Sequence, residues 1–170
     1  MPSIHGRHDG RAAIVTVAII DAAHYKTHKA SLNQGPLKGV VPVKALFDTG
    51  ATKTMITSRI VSRLGLRLVN KLDFASLTGV HRRNGYLFHV GFYQSPPANE
   101  TEVSNIQVFR EVINGGELPD GTTFDVMLGM DVITSGNLRI NQDGTFVFRF
   151  GPKGTRPRHV TTVRDRGAIG

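Results

Sequence analysis

The residues with the clearest chemical potential lie in the segment ALFDTGATKTMIT, residues 45–57. Asp48 ends an apolar run there and is followed by Thr49 and Gly50. A carboxylate can act as a general acid or base once its neighbours have tuned its protonation. Asp, Thr and Gly are also common turn residues, so the same three residues could simply end a strand. The segment therefore has two interpretations, a reactive carboxylate and an ordinary turn.

The other titratable residues in suggestive positions favour structural roles. His24 and His28 have the i,i+4 spacing of a helical metal pair, but no glutamate lies between them, and the polar segment around them is predicted to be a loop. We therefore expect no metal and no cofactor. Asp131 is expected to cap a short helix, whereas Asp125 and Asp143 suit loop and turn positions.

The composition restricts the reactions that the chain could perform more than it restricts the cellular compartment. The chain has 170 residues, no cysteine and a formal net charge of +8. Disulfides, thiolate chemistry and cysteine-ligated metals are excluded, but either redox compartment remains open, and the cytoplasm is taken as the working assignment. The positive charge favours anionic partners. It is dispersed along the chain, so nucleic-acid binding is not expected, except through a basic tail that contains Lys153, Arg156, Arg158, Arg164 and Arg166.

Two apolar runs precede Asp48 and are predicted to be strands. Residues 12–20, AAIVTVAII, are rich in β-branched side chains and fall far short of the about 20 residues that span a bilayer. No membrane span is therefore expected. Residues 40–47 form the second run, in which Pro42 must lie near the strand's start or on an edge. A long surface loop, residues 21–39, is predicted between them.

The segment after Asp48 has the period of a helix. Ile56, Ile60 and Leu64 recur every four residues, which predicts a helix that starts near Thr57 and ends at Gly65.

Most of the remaining chain has strand and hairpin patterns. Asn84-Gly85 lies between two strand-like arms in residues 74–93, which predicts a tight turn at this pair. Further strands are predicted at residues 106–113, 138–140 and 145–150, with a loop at residues 114–123. The sequence thus indicates an all-β domain over residues 12–150, with one or two short helices, a flexible N-terminus at residues 1–11 and a flexible basic tail at residues 151–170.

Two signatures in order give the chain a family resemblance. Residues 48–54, DTGATKT, resemble the active-site loop of retropepsin-like aspartic peptidases, and residues 124–133, FDVMLGMDVI, resemble that family's second signature. The Asn84-Gly85 hairpin has the place of the family's flap, and residues 138–150 resemble its closing strands. The resemblance, which covers about residues 12–150, implies a closed β-barrel of the acid-protease half-fold type that is active as a homodimer.

The resemblance also implies a reaction. Peptide hydrolysis by this route requires two carboxylates that share one proton, since two carboxylates about 3 Å apart cannot both ionise. The chain has one DTG and no second DTG or DSG. A functional centre would therefore place Asp48 beside the Asp48 of a second copy. The implied substrate is a peptide or protein.

The resemblance assigns roles to the neighbours of Asp48. Thr49 would bond across the dimer axis, Gly50 would let its N–H approach the carboxylate, and Ala51 would leave room beside the two carboxylates. The residues of the flap would cover the substrate; they are Thr78, Gly79, Val80, His81, Asn84 and Gly85. Leu128 and Gly129 would pack behind the catalytic loop.

Two departures from the family and one alternative remain open. The loop at residues 21–39 is longer than is usual in the family, and the expected flap tip, HRRNG, is basic instead of glycine-rich and apolar. Both affect the expected substrate preference more than the chemistry. The alternative function is a non-catalytic dimeric protein-binding module that retains the fold.

Overall fold

The computed structural model describes residues 2–28, 39–76, 78–94, 106–109 and 111–150 of the chain. These residues form mostly strands, as predicted. The strands are β1 (Ser3–Arg7), β2 (Ile14–Asp21), β3 (Val40–Phe47), β4 (Met55–Thr57), β5 (Leu68–Ser76), β6 (Gly79–Tyr93), β7 (Ile106–Val108), β8 (Ile113–Leu118), β9 (Val126–Leu128), β10 (Gly136–Ile140) and β11 (Thr145–Phe150). The helices are α1 (Ala22–His28), α2 (Ser58–Leu64) and α3 (Met130–Ile133).

Six of the strands close into a barrel. They pair in the order β2, β3, β9, β4, β8 and β6, and β6 then pairs with β2 to complete the ring. Closure satisfies the backbone groups that an open sheet would leave at its edges. The 15-residue strand β6 also pairs with β5 and β7 outside the ring. The predicted all-β fold and closed barrel are confirmed.

Pro42 lies where the barrel tolerates it. Within β3 it is opposite Ala18 of β2, whereas β9 pairs with β3 only from Ala45 to Phe47. One side of β3 is therefore unpaired at Pro42, so the missing N–H breaks no ladder hydrogen bond on that side.

A second, three-stranded sheet packs on the barrel through aromatic rings. Its strand order is β1, β11, β10. Phe146, Phe148 and Phe150 of β11 are buried and face the barrel, where the Phe148 ring centroid lies 5.2 Å from that of Phe47 and 5.4 Å from that of Phe92. Phe47 directly precedes Asp48, so this core supports the strand end that carries the candidate carboxylate.

Helix α2 follows its sequence pattern. It begins at Ser58, buries Ile60 and Val61, and ends at Gly65, whose φ of 62° is left-handed and favours glycine. No helix in the described part of the chain is long and apolar enough to cross a membrane.

Two segments that the sequence predicts to be irregular are regular. Residues 3–7, within the expected flexible N-terminus, form β1, which pairs along its length with β11 and buries Ile4. Residues 22–28, within the expected long loop, form α1, whose His24 N–H is accepted by the Asp21 carboxylate. These short elements depend on tertiary contacts, which local composition does not reveal. Residues 29–38 and the basic tail lie outside the described residues.

The Asn84-Gly85 turn is the clearest correction. Both residues lie within β6, opposite Lys71 and Asn70 of β5, and the pairing of the hairpin continues past them to Ser76 and Gly79. Gly85 does not have a positive φ. A Cβ there would lie 2.0 Å from the side-chain oxygen of Asn70, so glycine serves the close approach of neighbouring strands.

The predicted loop at residues 114–123 and the strand before it also need correction. The expected strand at residues 106–113 is two strands, and β8 continues to Leu118 through Gly115 and Gly116. A Cβ at Gly115 would lie 2.6 Å from the Phe88 ring, and one at Gly116 would lie 2.2 Å from the Phe74 ring. These glycines therefore make room for aromatic side chains. The predicted β10–β11 hairpin around Asp143-Gly144 is confirmed.

Phe148→Ala is expected to destabilise the chain by about 3–5 kcal/mol, because it removes a fully buried ring at the contact between the two sheets. Urea unfolding measures the change. The adjacent variant Val147→Ala, on the opposite face of β11, is the control and should cost roughly 1 kcal/mol or less. Similar losses in the two variants would show that the sheet does not pack on the barrel through this face.

Candidate active site

Asp48 occupies a turn at the end of β3. Its N–H donates to the Leu128 carbonyl at 3.0 Å, which continues the parallel pairing of β3 with β9 by one residue. Its Oδ1 accepts the Gly50 N–H at 2.9 Å. The carboxylate is half-buried, and the next two residues, Thr49 and Gly50, are exposed. The turn thus fixes the carboxylate on one side and presents the following residues to the outside.

The loop of residues 48–54 is held at several points by the segment after β9. Strand β9 lies between β3 and β4, which are the two strands that the loop connects. The Met130 N–H donates to the Ala51 carbonyl at 2.8 Å, and the Gly129 N–H donates to Thr54 Oγ1 at 3.1 Å. The loop is therefore bound at its start, middle and end.

The structure brings Leu128 and Gly129 against this loop, where the sequence places them. Leu128 is fully buried. A Cβ on Gly129 would lie 2.5 Å from the Lys53 carbonyl carbon and 2.9 Å from the Thr54 nitrogen. Because those are backbone atoms, they could not move aside without displacing the loop.

Asp131 holds the end of the loop, a role that the sequence did not predict. Its carboxylate accepts the Thr54 N–H at 3.0 Å and the Thr54 hydroxyl at 2.7 Å. It also accepts the N–H of the next residue, Val132, at 3.0 Å. The prediction that Asp131 caps the helix is wrong, because α3 begins at Met130 and its N-cap is Gly129. Thr54 is fully buried, and the carboxylate pairs both of its donors. The spacing from Asp48 to Thr54 and from Leu128 to Asp131 offered no signal for this contact.

The predicted flap residues divide into two groups. Thr78, Gly79, Val80 and His81 lie at the tip of the β5–β6 hairpin and are exposed. The Thr78 hydroxyl and His81 Nε2 are 3.0 Å apart across this tip. Up to Asn84, β6 is paired with β5 alone among the described strands, so the end of the hairpin projects as a two-stranded ribbon.

Asn84 and Gly85 belong to the base of this hairpin. The Asn84 amide donates to Glu117 Oε2 at 2.5 Å, and the Ser58 hydroxyl donates to Glu117 Oε1 at 2.7 Å. Tyr86 OH donates to the same carboxylate at 3.3 Å. Burial, with a further contribution from the Glu117 charge, raises the pKa of Tyr86, so the phenol stays a neutral donor. Glu117 therefore joins the hairpin base to the start of α2.

A cavity of about 500 Å³ lies apart from the Asp48 turn. Its lining residues are Thr57, Arg59, Ser62, Asp120, Gly121, Thr122 and Phe124. The Arg59 guanidinium pairs there with the buried Asp125 carboxylate, and the Arg59 N–H donates to Asp120 Oδ1 at 3.0 Å. Asp125 thus lies in the loop before β9, as predicted, and its carboxylate also pairs with α2.

Asp48 differs in its contacts from the two aspartates of the second signature. Asp125 and Asp131, the two acidic residues of the second signature, are engaged by Arg59 and Thr54. Of these three aspartates, Asp48 is the one on a turn with exposed neighbouring residues, and its Oδ1 accepts the Gly50 N–H. Such a carboxylate can accept or donate a proton, but the shared-proton chemistry of two carboxylates requires a second one from outside this chain.

Comparisons with known proteins found one family match and a structural likeness. Residues 29–132, more than half of the chain, match the family model described as aspartyl protease. Among solved structures, the chain is similar to a retropepsin-like aspartic protease from Rickettsia conorii, with a TM-score of 0.47 and 13% sequence identity over 87% of this chain and 90% of that chain. No curated protein matches the chain. The family match spans both the Asp48 turn and the segment that holds it.

Asp131→Ala is expected to destabilise the chain by roughly 1.5–3 kcal/mol or more, because buried Thr54 donors lose a charged acceptor. Asp131→Asn retains an acceptor oxygen and should recover part of that loss. Asp73→Ala is the matched control, since Asp73 is 68% exposed and should contribute less than about 1 kcal/mol. Chemical unfolding of the three variants measures the order, and equal stabilities would contradict the proposed anchoring.

Proposed function

The chain belongs to the aspartyl protease family, and from this premise we propose that it is an aspartic endopeptidase of the retropepsin type that acts as a homodimer. The observation that carries the proposal is the Asp48 turn. Its carboxylate is positioned by backbone hydrogen bonds at a strand end, and the adjacent Thr49 and Gly50 are exposed. A second copy of the same turn would supply the other carboxylate.

The proposed reaction uses the two Asp48 carboxylates in different protonation states. The ionised one takes a proton from a bound water, and the water oxygen attacks the carbonyl carbon of the scissile peptide bond. The protonated one donates a hydrogen bond to the carbonyl oxygen and stabilises the charge that develops there. The C–N bond then breaks as the leaving amine takes a proton from the pair, which returns to its singly protonated state.

The neighbours of Asp48 would support this arrangement. The Gly50 N–H already donates to Asp48 Oδ1, which helps to orient the carboxylate. We assign to exposed Thr49 the contact across the dimer axis, and Ala51 would leave space beside the carboxylates. Leu128 and Gly129 would pack behind the loop of residues 48–54 and keep it in place.

The end of the β5–β6 hairpin would cover the substrate. Its base is held by Glu117, whereas at its tip β5 and β6 pair with each other and with no other strand among the described residues. Val80 at this tip is 72% exposed, so its side chain would be accessible to a bound peptide. Closure of such a hairpin would exclude water and increase the strength of the electrostatic interactions in the site.

Asp48→Asn is expected to abolish peptide cleavage while it leaves folding and dimerisation intact, because the amide can neither take the proton from water nor share one. A fluorogenic peptide library, scanned from about pH 4 to pH 7, measures the activity, and size-exclusion chromatography with light scattering measures the assembly. The control variant is Asp73→Asn, an exposed aspartate on the hairpin. Undiminished cleavage by Asp48→Asn would eliminate the proposed mechanism.

A mixing experiment tests whether two chains share the centre. With a ninefold excess of Asp48→Asn chains, random pairing leaves about one wild-type chain in ten with a wild-type partner, so activity per wild-type chain should fall roughly tenfold. Unchanged activity would show that one chain suffices. A dimer that neither cleaves any library peptide nor binds a pepstatin-like inhibitor would instead support the protein-binding module.

Val80→Ser is expected to raise KM several-fold with little change in stability, because it removes an apolar contact that forms only with bound substrate. The change in unfolding free energy should stay within about 0.5 kcal/mol. Val112→Ser, at another exposed valine, is the control for general surface effects. An unchanged KM in Val80→Ser would show that the tip of the hairpin does not contact the substrate.

A further inference from the structure

The three-stranded sheet has an outer face that the proposed protease chemistry does not use. Side chains alternate along each strand, so Phe146, Phe148 and Phe150 point to the core while Arg149 and its alternate neighbours point outward. We call this outer face the basic face. Its residues are Ser3, His5, Arg7, Asn137, Arg139, Thr145, Val147 and Arg149.

The basic face contains arginines and no acidic residue. Arg7, Arg139 and Arg149 are all exposed, and so is His5. No ion pair among the described residues includes any of the three arginines. Their charges are therefore available to a partner.

One carboxylate lies near an edge of this face. Asp143, in the turn between β10 and β11, has a lowered pKa, chiefly because it accepts the Thr145 hydroxyl and N–H, with a smaller contribution from the charge of Arg7. Asp143 thus offsets part of the charge of Arg7. Arg139 and Arg149 have no such neighbour in the register, where they face Val147, Ser3 and Asn137.

The positions of the arginines follow from the strand register. Arg139 is opposite Val147, which is two residues from Arg149, so the two arginines are diagonal neighbours with Cα atoms about 8 Å apart. Arg7 is opposite Thr145, which places it about 12 Å from Arg139 across the sheet. Such distances correspond to about two to four nucleotides at roughly 3.4 Å per nucleotide along one strand.

We propose that the basic face binds the phosphate backbone of nucleic acid without sequence preference. The face presents exposed guanidinium groups, which pair well with phosphate oxygens. Apart from the His5 imidazole it has no aromatic ring on which a base could stack, and it has no large apolar side chain that could enter a lipid surface. Electrostatic attraction to phosphates is the interaction that these residues provide.

The sequence beyond β11 adds charge of the same sign. Residues 151–170 follow Phe150 directly and contain five lysines and arginines but one acidic residue, Asp165. The net charge of +8 would increase the rate at which the whole chain encounters a polyanion. The proposal nevertheless assigns the contacts to the sheet, and the tail serves as a comparison in the test.

Fluorescence anisotropy with a labelled single-stranded 20-nucleotide RNA, over 50–200 mM salt, tests the proposal on the full-length chain. Arg139→Gln with Arg149→Gln should weaken binding about fivefold or more and lower the slope of log K against log salt by about 1.4. Arg139→Lys with Arg149→Lys should retain the slope. The matched control is Arg67→Gln with Arg82→Gln, which removes the same charge from exposed positions elsewhere.

Four outcomes would overturn the proposal. Equal weakening in the matched control would show that only net charge matters. Loss of binding in Arg156→Gln with Arg158→Gln, but not in the sheet variant, would move the contacts to the tail. Binding to phosphatidylserine vesicles without binding to RNA would indicate a membrane surface. Loss of dimerisation in the sheet variant, measured by light scattering, would identify the face as an interface between copies of the chain.

Discussion

The position of β9 between β3 and β4 is the constraint on which the candidate site depends. The loop that carries Asp48 leaves one neighbour of β9 and returns as the other, so both of its ends are held by the same strand. The segment that follows β9 then binds the loop through Gly129, Met130 and Asp131. The Asp131 carboxylate makes this arrangement specific, because without it the N–H and the hydroxyl of buried Thr54 would lose their acceptor.

The aromatic core extends this constraint to the second sheet. Phe47 is the last residue of β3, and its ring contacts Phe146 and Phe148 of β11 as well as Phe92 of the barrel. The sheet therefore supports the strand end from behind while β9 supports it from the side. A single phenylalanine thus connects the packing of both sheets to the placement of the adjacent carboxylate.

Local sequence patterns predicted the elements whose causes are local. Helix α2 (Ser58–Leu64) has an apolar period and is followed by a left-handed glycine, and β3 is mostly apolar, so both were predictable. The glycines within strands were wrongly predicted to lie in a turn and a loop. Gly85 and Gly116 accommodate side chains from other strands, and the sequence does not show those neighbours. The Asp131–Thr54 contact joins residues 77 positions apart, and β1 is held by β11 from the far end of the domain.

The continuity of β6 gives Gly85 a role that its sequence neighbours did not suggest. Strand β6 closes the barrel against β2 and also forms one side of the projecting hairpin, so one continuous strand connects the two regions. The backbone pairing of β6 with β8 ends at Gly85, which is the last paired residue in the direction of the tip. Bending of the ribbon is easiest at such a change in support. Gly85, which was expected to form the turn at the tip, therefore marks the point about which the hairpin would bend.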